Sequence, residues 1–323
     1  MSNAANASPS SGLEIWRGGV NAWECDEMGH MNVRFYAARM LECLAGLAAH
    51  LGMPDAFTPH TESTLIVASH HFRFLKEAKA GAPLHMTGGV VRWDPQGAGI
   101  LQVLWHSRTG EPAATVLTDL LHVRPRDGRP FPWPSRAKAA AESLSVEVPP
   151  FAAPRSVSAG GRAPVDALTP QALARLTPIG AGVIMPDQVD VFGRMRAEQF
   201  IGRVSDGVPA LLAGVRERVA EASPEEGPRR IGGAVLEYRL AYLDWPRCGD
   251  HVRLCSGLAG FEDKTQRIGH WMIDPISGAP WAFAEAVAVN FDLDTRKAAT
   301  IPPTAKAIMS EYVRPDLRFV EDA

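Results

Sequence analysis

The stretch that decides the fold is DEMGHMN at residues 26–32, which occurs a second time, in altered form, as DVFGRMR at residues 190–196. Both copies keep the aspartate, the glycine three positions later and the methionine two positions beyond that. An aromatic residue follows at the same offset in each, Tyr36 in the first copy and Phe200 in the second. An internal repeat of this kind predicts that the chain is built from two related halves.

The two copies differ at two polar positions. His30 and Asn32 of the first copy correspond to Arg194 and Arg196 of the second. The difference suggests that one half carries chemistry that the other has lost.

Composition places the chain among ordinary globular proteins of about two domains. It has 323 residues, of which 46% are hydrophobic and 21% charged, so that two cores can be formed and extensive disorder is not expected. The net charge of -3 argues against a non-specific nucleic-acid binder.

Localisation follows from the cysteines and from what the first residues lack. Cys25, Cys43, Cys248 and Cys255 form no CxxC pair, which is atypical of a zinc site or a disulfide framework and is consistent with reduced thiols. The first twelve residues have no basic residue and no apolar run, so no signal peptide is expected. The sequence contains no run of 18 apolar residues, so no membrane span is expected. We therefore expect a cytoplasmic protein.

Each copy of the repeat leads into a helix. From Val33 to Leu51 the apolar residues recur with helical spacing, and Gly52 and Pro54 follow as stop signals. The second helix begins near Met195 and is expected to be broken or shorter, because it meets the glycine and proline of residues 207–209.

Strand patterns follow each helix. They cover residues 69–75, 84–93, 100–106 and 113–124 in the first half, and 236–243, 251–256, 265–273 and 281–291 in the second. A strand, a long helix and then several antiparallel strands in each half predict an α+β fold in which a sheet wraps around a helix.

The predicted domain organisation has five parts. They are a flexible tail at 1–12, a first domain at 13–126, a Pro/Ala-rich linker at 127–177, a second domain at 178–303 and a C-terminal extension at 304–323. The linker is expected to cross the surface and bring the halves side by side.

Asp26 is the first candidate for chemistry, because it lies where a strand gives way to a helix. Free amide groups at a helix start can stabilise the negative oxygen that develops when a carbonyl is attacked, and Gly29 allows a close backbone approach. A carboxylate beside such amides can deprotonate a water or attack an acyl group directly. The alternative is that Asp26 only caps the helix, and on spacing alone this is the simpler interpretation.

The neighbouring polar residues have similar structural alternatives. His30 can be a hydrogen-bonded side chain, Asn32 can be the helix cap, and Glu24 and Glu27 are expected to be solvated. His70 and the next residue are adjacent on a strand, so they cannot chelate one metal together, and no metal site is predicted. Nucleophile-elbow, phosphate-loop and dinucleotide motifs are absent from the sequence.

These residues resemble a known family. An Asp, two spacers, Gly-His, an apolar residue and Asn, followed by Tyr36, resemble the signature of hot-dog-fold thioesterases of the 4-hydroxybenzoyl-CoA thioesterase type. The turn at 248–252 (CGDHV) resembles the family's "GD" turn, and residues 294–303 resemble the usual end of its domain. The resemblance covers nearly the whole chain except the tail and the linker.

The resemblance implies two hot-dog domains packed as an intrachain pseudo-dimer, with active sites at their pairing interface. It implies that Asp26 is the catalytic carboxylate and that Gly29 and His30, followed by Asn32, form the oxyanion-binding helix start. Asp190 and Gly193 match the same positions in the second half. Arg194 departs from the pattern there, as does the arginine two positions later, so that half is expected to be degenerate.

The expected function is hydrolysis of an acyl-CoA or related small-molecule acyl thioester, with coenzyme A as part of the substrate and no separate cofactor. A non-catalytic acyl-CoA-binding protein is the first alternative. An enoyl-CoA hydratase or dehydratase is the second, although family hydratases have four residues between Asp and His, whereas Asp26 and His30 have three. A homodimer through the hot-dog sheets is a further expectation, while the acyl group, the choice of coenzyme A or carrier protein, and the phosphate-binding residues stay open.

Overall fold

A computed structural model describes residues 12–211, 213–222, 231–292, 294–295 and 297–321. The chain divides into two units, Met1–Ala153 and Pro154–Ala323. The division falls inside the segment predicted as a linker. All of the predicted tail except Gly12 lies outside the described residues, as do Arg296 and the last two residues.

The first unit is an antiparallel sheet with one long helix. Helix α1 (Val33–His50) packs against a sheet whose strands lie in the order β1-β3-β4-β5-β2. The strands are β1 (Leu13–Gly19), β2 (Thr64–Phe74), β3 (Pro83–Trp93), β4 (Gly97–His106) and β5 (Pro112–Val123).

Helix α1 forms where the sequence predicts it, because its apolar residues share one face. Those that it buries are Tyr36, Ala37, Met40, Cys43, Leu44, Leu47 and Ala48. Gly52 follows with a φ of 82°, a left-handed conformation that glycine adopts without strain. The Gln102 amide of β4 donates to the carbonyl of Met40 at 2.6 Å, which fixes the helix on the sheet.

The second unit repeats this plan with additions. Its sheet has the order β7-β10-β9-β8-β6, with β11 (Lys297–Ala298) paired to β10. The strands are β6 (Thr177–Val183), β7 (Ile231–Tyr242), β8 (His251–Phe261), β9 (Thr265–Ile273) and β10 (Pro280–Asp292). Helices α4 (Ala197–Leu211) and α5 (Ala213–Ala222) precede β7, and α6 (Pro303–Ser310) follows β11.

Helix α4 is shorter than α1, as predicted, but it is not broken at residues 207–209. It has 15 residues against 18 in α1 and continues past Pro209 to Leu211. Position 207 of this helix requires a glycine, since a Cβ there would lie 2.3 Å from the carbonyl oxygen of Ile179. The glycine therefore permits close packing of α4 on β6, and the proline lies within the last turn.

The segment at 127–177, predicted as a linker, packs on sheet surface in both units. It contains α2 (Ser135–Ser143) and α3 (Pro170–Leu173). In the first unit its apolar residues pack against Leu101 and Val103 of β4, on the face opposite α1; they are Val146, Phe151 and Ala152. In the second unit its residues join the C-terminal stretch in a cluster around Trp271 and Phe283; they are Val157, Ala163 and Leu176, with Leu317 and Phe319.

These contacts bury apolar side chains on the outer face of each sheet. No helix within the described ranges is long and apolar enough to cross a membrane.

Candidate functional site

Residues 25–31 form a tight loop between a short 3-10 helix (Ala22–Glu24) and α1. The loop is closed by a bridge between Cys25 and Met31, and the Asp26 amide donates to the carbonyl of His30 at 2.9 Å. Gly29 donates back to the Asp26 carbonyl at 3.0 Å and has a φ of 77°. A Cβ at Gly29 would meet no atom within 4 Å, so the glycine serves the backbone conformation and not a close packing contact.

The Asp26 carboxylate is half-buried and is held by its own loop. Its Oδ1 accepts from the amides of Met28 at 2.9 Å and His30 at 3.2 Å. Since Asp26 is not in an ion pair within the described residues, the loop orients the carboxylate without neutralising it.

Asp26 does not cap α1. The helix begins at Val33, and the Asn32 side chain accepts from the Arg34 amide at 3.0 Å. The capping alternative for Asn32 is therefore confirmed, and the one for Asp26 is wrong. The helix start that was expected beside Gly29 and His30 begins three residues after His30, because residues 26–31 close their own hydrogen bonds first.

The His30 ring is buried and paired with a residue that sequence analysis missed. Its Nε2 lies 2.9 Å from Oε2 of Glu77, which follows strand β2 and is 40% exposed. The backbone of His30 bridges that of Lys79, so the segment after β2 forms one wall of the loop. No local pattern links Glu77 to the loop, and the equivalent position of the second half is occupied by Trp245.

Glu24 is buried, which corrects the expectation that it is solvated. Its side chain is 2% exposed, accepts from the Asn21 amide at 2.7 Å and forms an ion pair with Arg39 of α1. The Arg39 guanidinium also lies over the Trp16 ring, 5.4 Å from its centroid. A buried carboxylate is stable only when it is paired and hydrogen-bonded, and Arg39 meets this requirement while fixing the loop to the helix.

Tyr36 closes the bottom of the loop. Its hydroxyl accepts from the Ala78 amide at 3.3 Å, and its ring makes an edge-to-face contact with Phe74, with centroids 5.3 Å apart. Burial is the main cause that raises the pKa of Tyr36 to about 12. Tyr36 is therefore a neutral phenol at physiological pH. It lies near the carboxyl groups of Asp26 in the loop and of Glu77 after β2.

The second loop has the same backbone frame. Asp190 Oδ1 accepts from the amides of Phe192 at 2.8 Å and Arg194 at 3.0 Å, and Gly193 has a φ of 75°. The Met195 amide donates to Pro246, as the Met31 amide donates to Ala78 in the first loop. The prediction that the repeat marks equivalent loops is confirmed.

The side chains of the second loop are arranged differently. Arg194 turns back on Asp190 and donates to Oδ2 through Nε at 3.0 Å and Nη2 at 2.8 Å. The place of Glu77 is taken by Trp245, whose ring stacks on Tyr242 with centroids 4.8 Å apart. The place of the Glu24–Arg39 pair is taken by Gln188 and Arg203, hydrogen-bonded at 2.8 Å.

The structure thus brings Asp26, Gly29, His30 and Asn32 into one loop, and Asp190, Gly193 and Arg194 into its counterpart. Arg196, at the position of Asn32, forms an ion pair with Glu198 of α4 at 2.8 Å. Within the described ranges, no group of three His, Cys, Asp or Glu side chains is arranged to hold a metal ion.

The sequence matches a known family in both halves. The family is described as the thioesterase-like superfamily, and its model matches residues 20–141 and 184–309. The chain belongs to this family. Each matched segment contains one of the two loops, so the family signature is present twice. No curated protein sequence matches the chain.

Solved structures of similar fold are described as thioesterases. A putative oleoyl thioesterase from Lactobacillus plantarum aligns with a TM-score of 0.63 at 11% identity, covering 87% of this chain and 97% of that one. A 12:0-ACP thioesterase from Umbellularia californica aligns with 0.62 at 11% identity, covering 85% and 93%. An acyl-ACP thioesterase from Bacteroides thetaiotaomicron aligns with 0.59 at 9% identity, covering 84% and 96%.

At these identities the likeness establishes the fold. The predicted α+β class with two hot-dog domains is confirmed by the family match and by the two sheet-and-helix units. Membership of the thioesterase-like superfamily supports hydrolysis of a thioester in general.

Proposed function

We propose that the protein hydrolyses an acyl-CoA thioester, with Asp26 as the catalytic carboxylate. The observation that carries the proposal is the state of this side chain. Asp26 is half-buried and oriented by two backbone amides, and no ion pair within the described residues neutralises it. A carboxylate in this state can act as a base or as a nucleophile.

In the general-base form of the reaction, Asp26 activates the attacking water. Asp26 takes a proton from a water molecule while the water oxygen bonds to the thioester carbonyl carbon. The carbonyl oxygen becomes negative in the tetrahedral intermediate. The C–S bond then breaks, the thiolate takes the proton held by Asp26, and the free acid and the thiol leave with Asp26 restored as a carboxylate.

Three neighbouring residues have supporting roles in this proposal. Gly29 gives the loop its left-handed turn, and Asn32 sets the start of α1. The amides of Gly29 and His30 donate to Asp26 in the structure. To stabilise a substrate oxyanion, each amide must either share its hydrogen bond between Asp26 and the oxyanion or transfer it to the oxyanion. Their part in polarising the carbonyl stays a prediction.

The decisive experiment measures thiol release from a panel of acyl-CoAs by the wild type and by Asp26→Asn. General-base catalysis typically contributes about 10²- to 10⁴-fold, so a loss in that range is expected for kcat. Asparagine keeps the Oδ1 acceptor for the two amides, which makes it a matched substitution. Undiminished turnover by Asp26→Asn would overturn the assignment.

The same panel tests the substrate class. Each acyl group is offered on coenzyme A and on an acyl-carrier protein, and kcat/KM is compared. A higher kcat/KM with coenzyme A supports the proposal, whereas a higher kcat/KM with the carrier protein would show that the substrates are acyl-carrier-protein thioesters. Calorimetric binding of acyl-CoA without thiol release would favour the non-catalytic alternative.

A single turnover in ¹⁸O-labelled water separates the two roles of Asp26. If Asp26 activates water, the label enters the product acid in the first turnover. If Asp26 attacks to form an anhydride and water then opens it at the Asp26 carbonyl carbon, the first product carries unlabelled oxygen from Asp26, and the label is found in the protein.

A further inference from the structure

The two loops of this chain form an internal comparison in which the same frame carries different side chains. The backbone of His30 forms a β-bridge with that of Lys79 in the first unit, and the backbone of Arg194 forms one with that of Arg247 in the second. Since Lys79 and Arg247 are therefore equivalent, Glu77 and Trp245 occupy the same place relative to their loops. The exchange of histidine for arginine is accompanied by loss of the glutamate that pairs with the histidine.

The two loops differ both in the partner of the residue at position 30 or 194 and in the pairing of the aspartate. In the first loop, Glu77 Oε2 lies 2.9 Å from His30 Nε2. In the second, Trp245 offers no acceptor, its ring packs with Phe200 and Tyr242, and Arg194 closes on Asp190 at 2.8 Å. The first loop, which has Glu77, is thus the one whose aspartate forms no ion pair within the described residues.

We propose that Glu77 is a positioning residue of the thioesterase site, which holds the His30 ring away from Asp26 and so preserves Asp26 as a base. The inference rests on the proposed function of Asp26. Glu77 itself touches neither the substrate nor the reacting atoms in this account.

The electrostatic argument follows from the charges around the loop. Asp26, Glu77 and Cys25 all act electrostatically on Tyr36, so these groups lie together around the loop. With Glu77 as acceptor 2.9 Å away, an N–H at Nε2 of the His30 ring is directed at Glu77 and not at Asp26. A His30 ring released from Glu77 could donate an N–H to Asp26, as Arg194 donates to Asp190 in the second loop, and such a hydrogen bond weakens the carboxylate as a base.

Glu77→Ala tests the proposal, with kcat, KM and the pH dependence of kcat/KM as readouts. We expect kcat to fall about 10-fold with KM within about 2-fold, the lower end of a general-base contribution. The ascending limb of the pH profile is expected to move to lower pH, because an N–H that His30 donates to Asp26 favours the charged form of the carboxylate. A purely structural role of Glu77 would lower the melting temperature without moving this limb.

Two further variants place the effect on His30. Glu77→Gln keeps an oxygen acceptor for Nε2 and is expected to restore kcat to within about 3-fold of the wild type. In a His30→Gln background, Glu77→Ala is expected to leave the pH profile of that background unchanged. Glu111→Ala is the matched surface control, because Glu111 lies in the same unit, is 49% exposed and forms an ion pair with the surface Lys76.

A spectroscopic readout remains if Glu77→Ala does not fold. In protein labelled with ¹⁵N at its ten histidines, the His30 ring should carry its proton on Nε2, and Glu77→Gln should change that signal alone among those of the buried rings. Unchanged kcat and pH profile in Glu77→Ala, or an unchanged His30 signal in Glu77→Gln, would overturn the inference. If Asp26→Asn is inactive while Glu77→Ala behaves as the wild type, only this inference fails; an active Asp26→Asn removes the proposed function itself.

Discussion

Nη2 of Arg194 lies 2.8 Å from Oδ2 of Asp190, which gives the second loop a closed ion pair where the first loop has an aspartate without one. The guanidinium is 8% exposed, and within the described residues Asp190 is the carboxylate that compensates its charge, with the Phe192 ring 4.8 Å away. The same aspartate at the same place in the same frame is thus a candidate base in one unit and a structural anion in the other. This contrast makes the two aspartates separable by experiment.

Asp190→Asn is predicted to lower stability and not activity. Asparagine keeps the Oδ1 acceptor for Phe192 and Arg194 amides but leaves a buried arginine charge without its partner, a change that typically costs about 3–5 kcal/mol. Urea unfolding measures this loss, and the activity per folded molecule should stay within about 3-fold of the wild type.

The double variant Asp190→Asn with Arg194→Gln is its control. Removal of the arginine charge should recover most of the stability, because the penalty comes from the unpaired cation. Loss of thiol release in Asp190→Asn comparable to that in Asp26→Asn would show instead that both aspartates work.

The buried Glu24 provides a second prediction, and the chain itself supplies the substitution. Gln188 takes its place in the second unit and accepts from Arg203 at 2.8 Å, so Glu24→Gln should keep a hydrogen bond to Arg39 and cost at most about 1–2 kcal/mol. Glu24→Ala leaves Arg39 and the Asn21 amide without this acceptor and should cost about 3–5 kcal/mol. Equal melting temperatures for the two variants would contradict this ranking.

The buried His270 predicts a dependence of stability on pH. Its Nδ1 lies 2.7 Å from Oγ of Ser256 inside the second unit, and burial lowers its pKa to about 3. In the unfolded chain its pKa is about 6.5. Above pH 6.5 the ring is neutral in both states, so His270 makes no pH-dependent contribution there.

Below pH 6.5 the unfolded chain binds a proton that the folded protein does not, so the free energy of unfolding falls as pH falls, until about pH 3. At pH 5 the loss is about 2 kcal/mol for one such histidine. His70, whose pKa burial also lowers to about 3, adds a similar share.

His270→Gln tests the contribution of this histidine. Glutamine is chosen because Gln102 is the equivalent residue of the first unit, where it lies opposite Gly88 on the neighbouring strand as His270 lies opposite Ser256. The stability lost between pH 7 and pH 5 should decrease by about 2 kcal/mol in this variant. The exposed His50→Gln is the control, and an equal pH dependence in both variants would contradict the prediction.

The elements that sequence analysis predicted are those with short-range causes. Helix α1 follows from one apolar face and a glycine stop, and the strands after it follow from alternation and turn residues. The repeat identified both loops because the glycine and aspartate needed for the turn are within four residues of each other.

The parts that were missed depend on contacts distant in sequence. Glu77 reaches His30 from beyond β2, and Glu24 is buried only because Arg39 of the next helix faces it. The cover at 144–163 has no periodic apolar pattern, since an irregular segment places single residues such as Phe151 and Val157 on a surface that the sheet provides. Composition alone therefore suggested a linker.

The last prediction concerns this cover and the arginine that holds it. Arg239 of β7 is 6% exposed and donates to the carbonyls of Ser158, Gly160 and Gly161, and its guanidinium lies 3.8 Å from the centroid of the Phe319 ring.

Arg239→Met keeps much of the stem but removes every donor, which leaves three carbonyls without their partner and should cost about 3 kcal/mol. The released segment should then be cut by trypsin after Arg155 or Arg162, and limited digestion followed by mass spectrometry measures the rate. Arg129→Met, at a 79% exposed arginine of the first unit, should leave that rate unchanged. If Arg239→Met were as resistant as the wild type, the cover would be held by its apolar contacts alone, and the three hydrogen bonds would contribute little to its attachment.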